Sequence, residues 1–228
     1  MTPALRDRSL TAAAALAALL AILSAPWALD QPLLNFVFKP LATLIIFAYA
    51  WGRGAGMAAE RRWVLIGLIC SLAGDVALLW PQQGFLPGLV SFLLAHLAYL
   101  VAFTRRQQLA ARPGWFAAYA VVAGLILWQL WPGVPGGLRL PVLAYVACLG
   151  AMAAQAAVVW RSGSPRGGIL ALGGALFMTS DALLATNKFG GALPLASLWI
   201  LCTYWAAQWC IASWLAPATA VQREPMSP

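Results

Sequence analysis

The sequence predicts an all-α membrane protein, a polytopic bundle of eight transmembrane helices, and three observations support this prediction. Of the 228 residues, 63% are hydrophobic and 9% are charged, with a mean hydropathy of +0.82. A soluble domain needs about a quarter of its residues charged, so this composition excludes a soluble protein. The apolar residues form stretches of about 20, the length that crosses a bilayer core of about 30 Å. Tryptophans lie at the ends of most stretches, as expected at a membrane interface.

The eight stretches fill most of the chain and predict a single integral membrane domain, residues 1–228. Arg6 and Arg8 precede the first stretch and imitate a secretory signal, but no small-residue cleavage motif follows Ser24, so we expect a first transmembrane helix. Glycine and proline turns at 131–137 and 162–168 separate later stretches. The predicted spans are 9–29, 33–51, 62–80, 85–103, 115–131, 138–160, 166–186 and 192–215.

Positive charge orients the predicted bundle. Of the 14 lysines and arginines, all but Lys39, Arg139 and Lys188 lie at the N-terminus, in the second, fourth and sixth loops, or in the C-terminal tail. By the positive-inside rule both termini face the cytoplasm, which requires an even number of spans. The sequence pI near 10.0 would suggest nucleic acid in a soluble protein, but loop topology accounts for this charge, so no nucleic-acid partner is expected. We expect a bacterial inner membrane protein because the chain is short and carries no organelle signal.

A faint internal repeat divides the chain into two halves. Lys39-Pro40 opens the second span, and Arg139-Leu-Pro141 opens the sixth. Asp75 lies late in the third span, as Asp181 does in the seventh. Corresponding spans are four apart and therefore parallel, which predicts two parallel four-helix repeats.

Asp75 and Asp181 are the acidic residues that fall inside predicted spans. A carboxylate at the centre of a membrane helix costs about 2.5–3.5 kcal/mol, so each needs a partner, water or protonation. A rise of about 1.5 Å per residue puts both about 6–8 Å beyond mid-membrane, toward the non-cytoplasmic face. Equal depth on non-adjacent helices indicates one shared site. The alternative is two separate structural aspartates, each held locally, for example by Ser71 one turn before Asp75.

His96, the sole histidine, lies near the middle of the fourth span, at a position that Tyr204 occupies in the eighth. A lone histidine is often a hydrogen-bonded core residue, but an ionisable residue inside a membrane more often marks a site. One histidine excludes a three-histidine zinc centre. A metal site built from His96 and both aspartates stays open as an alternative, although we expect no metal or cofactor.

Four more polar side chains are candidates for substrate contacts. Lys39 and Lys188 lie toward the non-cytoplasmic face and could bind an anionic head group or approach the aspartates; the alternative is that both snorkel to the interface. Tyr204 and Gln208 share one face of the eighth span and could present a hydroxyl and an amide inward, with ordinary packing as the alternative.

The order of these motifs resembles a known family. The motifs are Lys39-Pro40, Gly74-Asp75-x-x-Leu78, Phe85-x-x-Gly88, Phe92-x-x-x-His96-x-x-Tyr99, Ser180-Asp181, Lys188-Phe189 and Thr203-Tyr204-x-x-Ala207-Gln208. In this order and spacing they resemble the YhhN family of membrane proteins, which includes the lysoplasmalogenases. The resemblance implies an eight-helix enzyme that hydrolyses the vinyl ether of lysoplasmalogen-type lysophospholipids, giving a fatty aldehyde and a glycerophospho head group. It implies catalytic roles for Asp75 and Asp181.

The implied chemistry suits these residues. A vinyl ether hydrolyses by protonation of its β-carbon, and water then captures the resulting oxocarbenium ion. Two carboxyl groups close together in a low-dielectric pocket divide into one acid and one base, as in glycoside hydrolysis. Either aspartate could take either role. The expected partners are membrane lipids and the lysophospholipid substrate, with binding residues Lys39, His96, Tyr99, Lys188, Tyr204 and Gln208.

The main alternative function is a proton-coupled transporter or lipid translocator. Mid-membrane carboxylates, a histidine and a four-plus-four repeat would suit such a carrier. A second alternative is a metal-dependent hydrolase that uses His96 with both aspartates.

Overall fold

The computed structural model describes residues 2–217, which contain eight α-helices and no strand, so the predicted all-α class is confirmed. A π-helix, Thr186–Gly190, continues the seventh helix, and two 3₁₀ turns, Trp131–Gly133 and Gly136–Leu138, follow the fifth. The helices are α1 Pro3–Leu23, α2 Pro32–Trp51, α3 Ala58–Ala77, α4 Phe85–Thr104, α5 Pro113–Leu130, α6 Arg139–Arg161, α7 Gly167–Ala185 and α8 Ala196–Trp214.

Three helices differ noticeably from the predicted spans, and one of them, α3, begins at Ala58 rather than residue 62. α1 begins at Pro3 rather than residue 9, because the Thr2 hydroxyl accepts a hydrogen bond from the Leu5 amide and caps the helix. It ends at Leu23 rather than residue 29, where turns around Pro26 replace it, since proline cannot continue the backbone ladder. α8 begins at Ala196 rather than residue 192, directly after a residue with a left-handed backbone.

The outer surface of the bundle is apolar. Leu33, Trp128 and Leu140 are 76–78% exposed, as expected for side chains that contact acyl chains. By length and hydropathy, α2, α4, α5, α6 and α7 can each cross a membrane. Charged residues at the starts of α1 and α3 lower their hydropathy, and four tryptophans and Gln208 lower that of α8. The chain is therefore an integral membrane protein in which the apolar surface faces lipid.

Helix packing follows the internal repeat. Within the first half α1 packs on α2, α2 on α3 and α3 on α4, and the same order holds from α5 to α8. The largest contacts between the halves join α4 to α6 and α8 to α2. In the repeat, α4 corresponds to α8, and α6 corresponds to α2. Exchanging the two halves therefore turns the α4–α6 contact into the α8–α2 contact. This is the contact pattern of two parallel repeats related by a two-fold axis along the membrane normal.

Arg53 closes the arginine-rich end of the bundle. It follows α2, is 3% exposed and pairs with the carboxylate of Asp7 in α1. Its guanidinium also donates to the carbonyl oxygens of Leu215 at 3.0 Å and Ser213 at 3.4 Å, and it lies over the Tyr49 ring. One buried cation therefore connects α1, the end of α2 and the end of α8.

We expect Arg53→Ala to destabilise the bundle by about 2–4 kcal/mol, because it leaves two carbonyl groups without their donor and Asp7 with only the 3.5 Å contact to Arg6. Arg8→Ala removes an exposed arginine one residue beyond Asp7 and should cost less than about 0.5 kcal/mol. Thermal and denaturant unfolding in detergent measures both. Equal stability of the two variants would contradict the role of Arg53.

Candidate functional site

Asp75 is held by two helices other than its own. It lies at the end of α3, is 1% exposed, and its Oδ2 atom accepts hydrogen bonds from the hydroxyls of Thr43 at 2.6 Å and Tyr204 at 2.8 Å. The indole of Trp205 donates to the Thr43 oxygen at 3.2 Å. The buried Lys39 lies one turn before Thr43 on the same helix, near Asp75. The donors of Asp75 therefore come from α2 and α8.

A chain of buried polar groups leads away from this carboxylate. Gln208 donates to the Tyr204 oxygen at 3.2 Å, and the Tyr99 hydroxyl donates to the Gln208 carbonyl at 2.6 Å. Neither donor to Asp75 is Ser71, the local partner considered from the sequence. Tyr99, Tyr204 and Gln208 thus form an interior network that joins α4 to α8.

Asp181 is held in a similar way in the other half. It lies near the end of α7, and its Oδ2 atom accepts a hydrogen bond from the Tyr145 hydroxyl of α6 at 2.6 Å. His96 of α4 is fully buried, and its Nε2 atom lies 3.6 Å from the same oxygen. The imidazole packs edge-on against the rings of Tyr145 and Phe177, with ring centroids 5.1 and 4.6 Å away. The Asp181 side chain keeps 11% of its surface exposed.

The two carboxyl groups occupy equivalent positions in the repeat. Asp75 on α3 is approached from α2 and α8, and Asp181 on α7 is approached from α6 and α4. Thr43 lies three residues after the proline of α2, and Tyr145 lies four residues after Pro141 of α6. The repeat therefore builds the same kind of carboxyl site twice, with different side chains.

The rings of Phe92 and Phe177, which we call the aromatic pair, lie between the Asp75 site and the Asp181 site. The Tyr204 ring lies 5.7 Å from Phe92 and 5.6 Å from Phe177, and Phe177 in turn contacts His96. Gly74 permits this packing, since a Cβ atom there would lie 2.6 Å from the Phe92 ring. Within residues 2–217 no hydrogen bond joins the two networks across these rings.

Asp181 also lines a cavity enclosed by α3 to α7, which we call the slot. Asp181 and Tyr145 supply its polar groups, and the remaining lining is apolar; Asp75 is not part of it. The slot is defined here by Leu89, Ile126, Tyr145, Leu149, Met178 and Asp181.

The sequence-derived binding candidates lie in three places. Lys188, in the π-helix, is exposed, and its Nζ atom lies 4.9 Å above the ring of Phe85, which lines the slot. Lys39 lies instead beside Asp75, on the far side of the aromatic pair. His96 lies behind Asp181. The remaining candidates, Tyr99, Tyr204 and Gln208, belong to the interior network of Asp75.

The sequence reasoning missed Tyr145 and Thr43, which make the shortest hydrogen bonds to the two carboxyl groups. The internal repeat carried the signal that could have found them. Thr43 follows Pro40 inside α2, and Tyr145 follows Pro141 in α6, each by about one turn. Each of these helices directly precedes the helix that carries an aspartate.

The proposed three-ligand metal site is not assembled in the described part of the chain. His96 lies near Asp181, but residues 2–217 form no group of three or more His, Cys, Asp or Glu side chains placed to hold a metal ion.

Comparison with known proteins identifies clear relatives. Residues 34–215 match the profile of the YhhN family. Lysoplasmalogenase TMEM86B of Sus scrofa is 37% identical over 173 residues, 74% of this chain and 69% of the relative. Lysoplasmalogenase TMEM86A of Homo sapiens is 36% identical over 181 residues, which cover 76% of this chain and 73% of the relative. A lysoplasmalogenase of Mycobacterium tuberculosis is 31% identical over 170 residues, 69% of this chain and 60% of the relative. No solved structure matches this chain.

We expect Thr43→Val to destabilise the protein by about 1–3 kcal/mol, because it removes a donor to Asp75 and leaves the Trp205 indole without its acceptor. Thr179→Val is the matched control, since its hydroxyl is exposed and bonds only to its own helix. Thermal unfolding in detergent compares the two. A control as damaging as Thr43→Val would contradict the interhelical role of the hydroxyl.

Proposed function

The chain belongs to the YhhN family, and from this we propose that it is a membrane-embedded ether hydrolase of the lysoplasmalogenase type. It hydrolyses the vinyl ether bond of lysoplasmalogen-type lysophospholipids to a fatty aldehyde and a glycerophospho head group. The observation that supports the chemistry best is the carboxyl group of Asp181 on the wall of an otherwise apolar slot. The names of the three relatives described above point to hydrolysis and not to transport.

Asp181 is the proposed proton donor. Apart from the Tyr145 hydroxyl, its neighbours in the slot are apolar, and an apolar environment favours the neutral carboxylic acid over the carboxylate. The acid transfers its proton to the β-carbon of the vinyl ether, and the double-bond electrons form the new C–H bond. The product is an oxocarbenium ion, whose positive charge the new Asp181 carboxylate stabilises.

The same carboxylate completes the cycle. It accepts a proton from a water molecule as the water oxygen bonds to the oxocarbenium carbon, giving a hemiacetal. The hemiacetal then breaks its C–O bond to glycerol, leaving the aldehyde and the free alcohol of the head group. One carboxyl group can therefore act first as acid and then as base, as in retaining glycosidases.

Tyr145 and His96 are the proposed positioning residues of Asp181. The Tyr145 hydroxyl occupies Oδ2, which leaves Oδ1 to carry the proton toward the substrate. The buried imidazole of His96 lies on the same Oδ2 side and limits rotation of the carboxyl group. Such orientation matters because proton transfer needs donor and acceptor within hydrogen-bond reach.

In this proposal Asp75 has a structural role, as the centre of the hydrogen-bond network that includes Thr43 and Tyr204. Its two hydroxyl donors come from α2 and α8, so Asp75 holds these helices and α3 together behind the aromatic pair. The exposed Lys188 near the slot suits the phosphate of the head group, because an ammonium binds phosphate as a point charge. Tyr99, Tyr204 and Gln208 support Asp75 rather than contact the substrate.

We also propose a location and orientation. The chain forms a single membrane domain of a bacterial inner membrane, with both termini in the cytoplasm. The arginines at the ends of α2, α4 and α6 support this orientation through the positive-inside rule.

We expect Asp181→Asn to lower aldehyde release from lysoplasmalogen by at least about 10²-fold, because an amide cannot donate the proton. Asp75→Asn should lower it less, because Asp75 does not line the slot. Asp30→Asn is the control, an exposed loop aspartate given the same change. Aldehyde is measured by coupled reduction, with circular dichroism to verify folding. Full activity in folded Asp181→Asn would refute the proposal.

Tyr145→Phe keeps the ring but removes the hydroxyl that holds Asp181. We expect kcat to fall about tenfold with KM nearly unchanged, because orientation of the acid is lost while the slot keeps its shape. Tyr49→Phe, which removes a buried tyrosine hydroxyl that bonds to Ser213 at the arginine-rich end of the bundle, serves as the control. A rise in KM at constant kcat would assign Tyr145 to substrate binding instead.

A further inference from the structure

The slot is too short to hold a fatty chain beyond Asp181. Measured along α7, its lining ends at Met178, three residues past Asp181, which corresponds to about 4.5 Å. On α6 it ends at Leu149, four residues or about 6 Å past Tyr145. This leaves room for a few methylene groups. A long chain bonded to a vinyl ether at Asp181 must therefore leave the slot sideways.

The gap between α5 and α7 provides the way out. α5 packs along α6 and against the π-helix but makes no extensive contact with α7. A second cavity, which we call the groove, lies in this gap and is defined by Tyr119, Val122, Ile126, Ala175, Met178 and Thr179. It shares four residues with the slot: Ile126, Leu130, Met178 and Ala182. The two cavities are thus separated by one layer of side chains.

The groove extends further past Asp181 than the slot does, and it opens to the lipid boundary. Its α7 wall reaches Ala175, six residues or about 9 Å past Asp181, whereas the slot ends about 4.5 Å past it. The hydroxyls of Thr179 and Thr186 donate to carbonyl groups of their own helix, at 2.9 and 2.7 Å, so they need no partner in the groove. The other polar groups of the lining are the Tyr119 hydroxyl and the Gln129 amide. Val122 on the α5 wall is 49% exposed, which opens the groove to the surrounding bilayer.

We propose that the alkenyl chain of the substrate passes between α5 and α7 into the groove while the vinyl ether lies against Asp181. This inference rests on the proposed ether hydrolase function and specifies how the substrate enters and sits. The substrate reaches the slot laterally from the bilayer, and its chain remains in contact with lipid. Because lipid tails are as apolar as the groove, the groove gains little affinity from burying the chain. It acts by aligning the vinyl ether with the carboxyl group.

The test fills the groove without touching the slot. Val122→Trp should lower kcat/KM for a long-chain lysoplasmalogen about tenfold or more, because a displaced chain misaligns the vinyl ether. A 1-butenyl analogue, short enough for the slot, should keep its kcat/KM within about twofold. Thr179→Phe, from the opposite wall, should repeat this pattern. Val121→Trp is the matched control: it is the neighbouring residue, 61% exposed, and lines neither cavity.

Two results would overturn the inference. One is an equal effect of Val122→Trp and Val121→Trp on the long-chain substrate. The other is an equal loss of activity toward long and short substrates in Val122→Trp, which would indicate a distorted slot.

A binding readout separates this inference from the proposed function. A lysophospholipid with a diazirine midway along its chain should label peptides of α5 and α7 in the parent protein and in Val121→Trp, but not in Val122→Trp. Labelling spread evenly over all lipid-facing helices would refute the groove. Absence of aldehyde from both substrates in the parent protein, with α5 and α7 still labelled, would refute the hydrolase and leave the groove as a lysolipid site.

Discussion

A carboxyl group inside an apolar helix bundle is retained only when neighbouring helices bring it hydrogen-bond donors, and much of this structure depends on that requirement. Asp75 receives hydroxyls from α2 and α8, while Asp181 receives one from α6 and faces the histidine of α4. Each aspartate thus ties its own helix to one helix before it and one from across the bundle. These are also the helices that join the two halves, so the polar contacts and the packing interface coincide.

The repeat explains why one fold holds two such groups with different surroundings. Around Asp75, two hydroxyls donate to Oδ2, and an indole and a buried lysine lie close by, which produces a closed site. Around Asp181, one hydroxyl and an imidazole occupy the same side of the carboxyl group, and the other side opens onto the slot. The separate structural role considered from the sequence suits Asp75, and the reactive role suits Asp181. Duplication followed by the opening of one copy would give a rigid frame and a site within it.

Much of the fold could be predicted from the sequence because membrane thickness imposes a length on every helix. The predicted spans and the observed helices overlap throughout, and the largest differences, six residues each, occur at the two ends of α1, where the Thr2 cap and the turns around Pro26 override hydropathy. The candidate site was predictable in part. Burying an aspartate is costly enough to be conspicuous in sequence, so Asp75 and Asp181 were evident. Tyr145 and Thr43 were not evident, because placing a tyrosine or a threonine in a membrane span costs little free energy and such residues are common there.

The sequence by itself determined the all-α membrane class, the eight helices, the two buried aspartates and the resemblance to the YhhN family, which the family profile confirms. These properties depend on sums over consecutive residues or on the order of short motifs, and neither requires knowledge of how helices rotate. Only the tertiary structure decided that Asp181 and not Asp75 lines the slot, that aromatic rings separate the two networks, and that α5 stands away from α7. These features depend on how each helix is rotated and how far apart the helices stand. Hydropathy reports neither property, because the lipid-facing and core-facing surfaces of a membrane helix are similarly apolar.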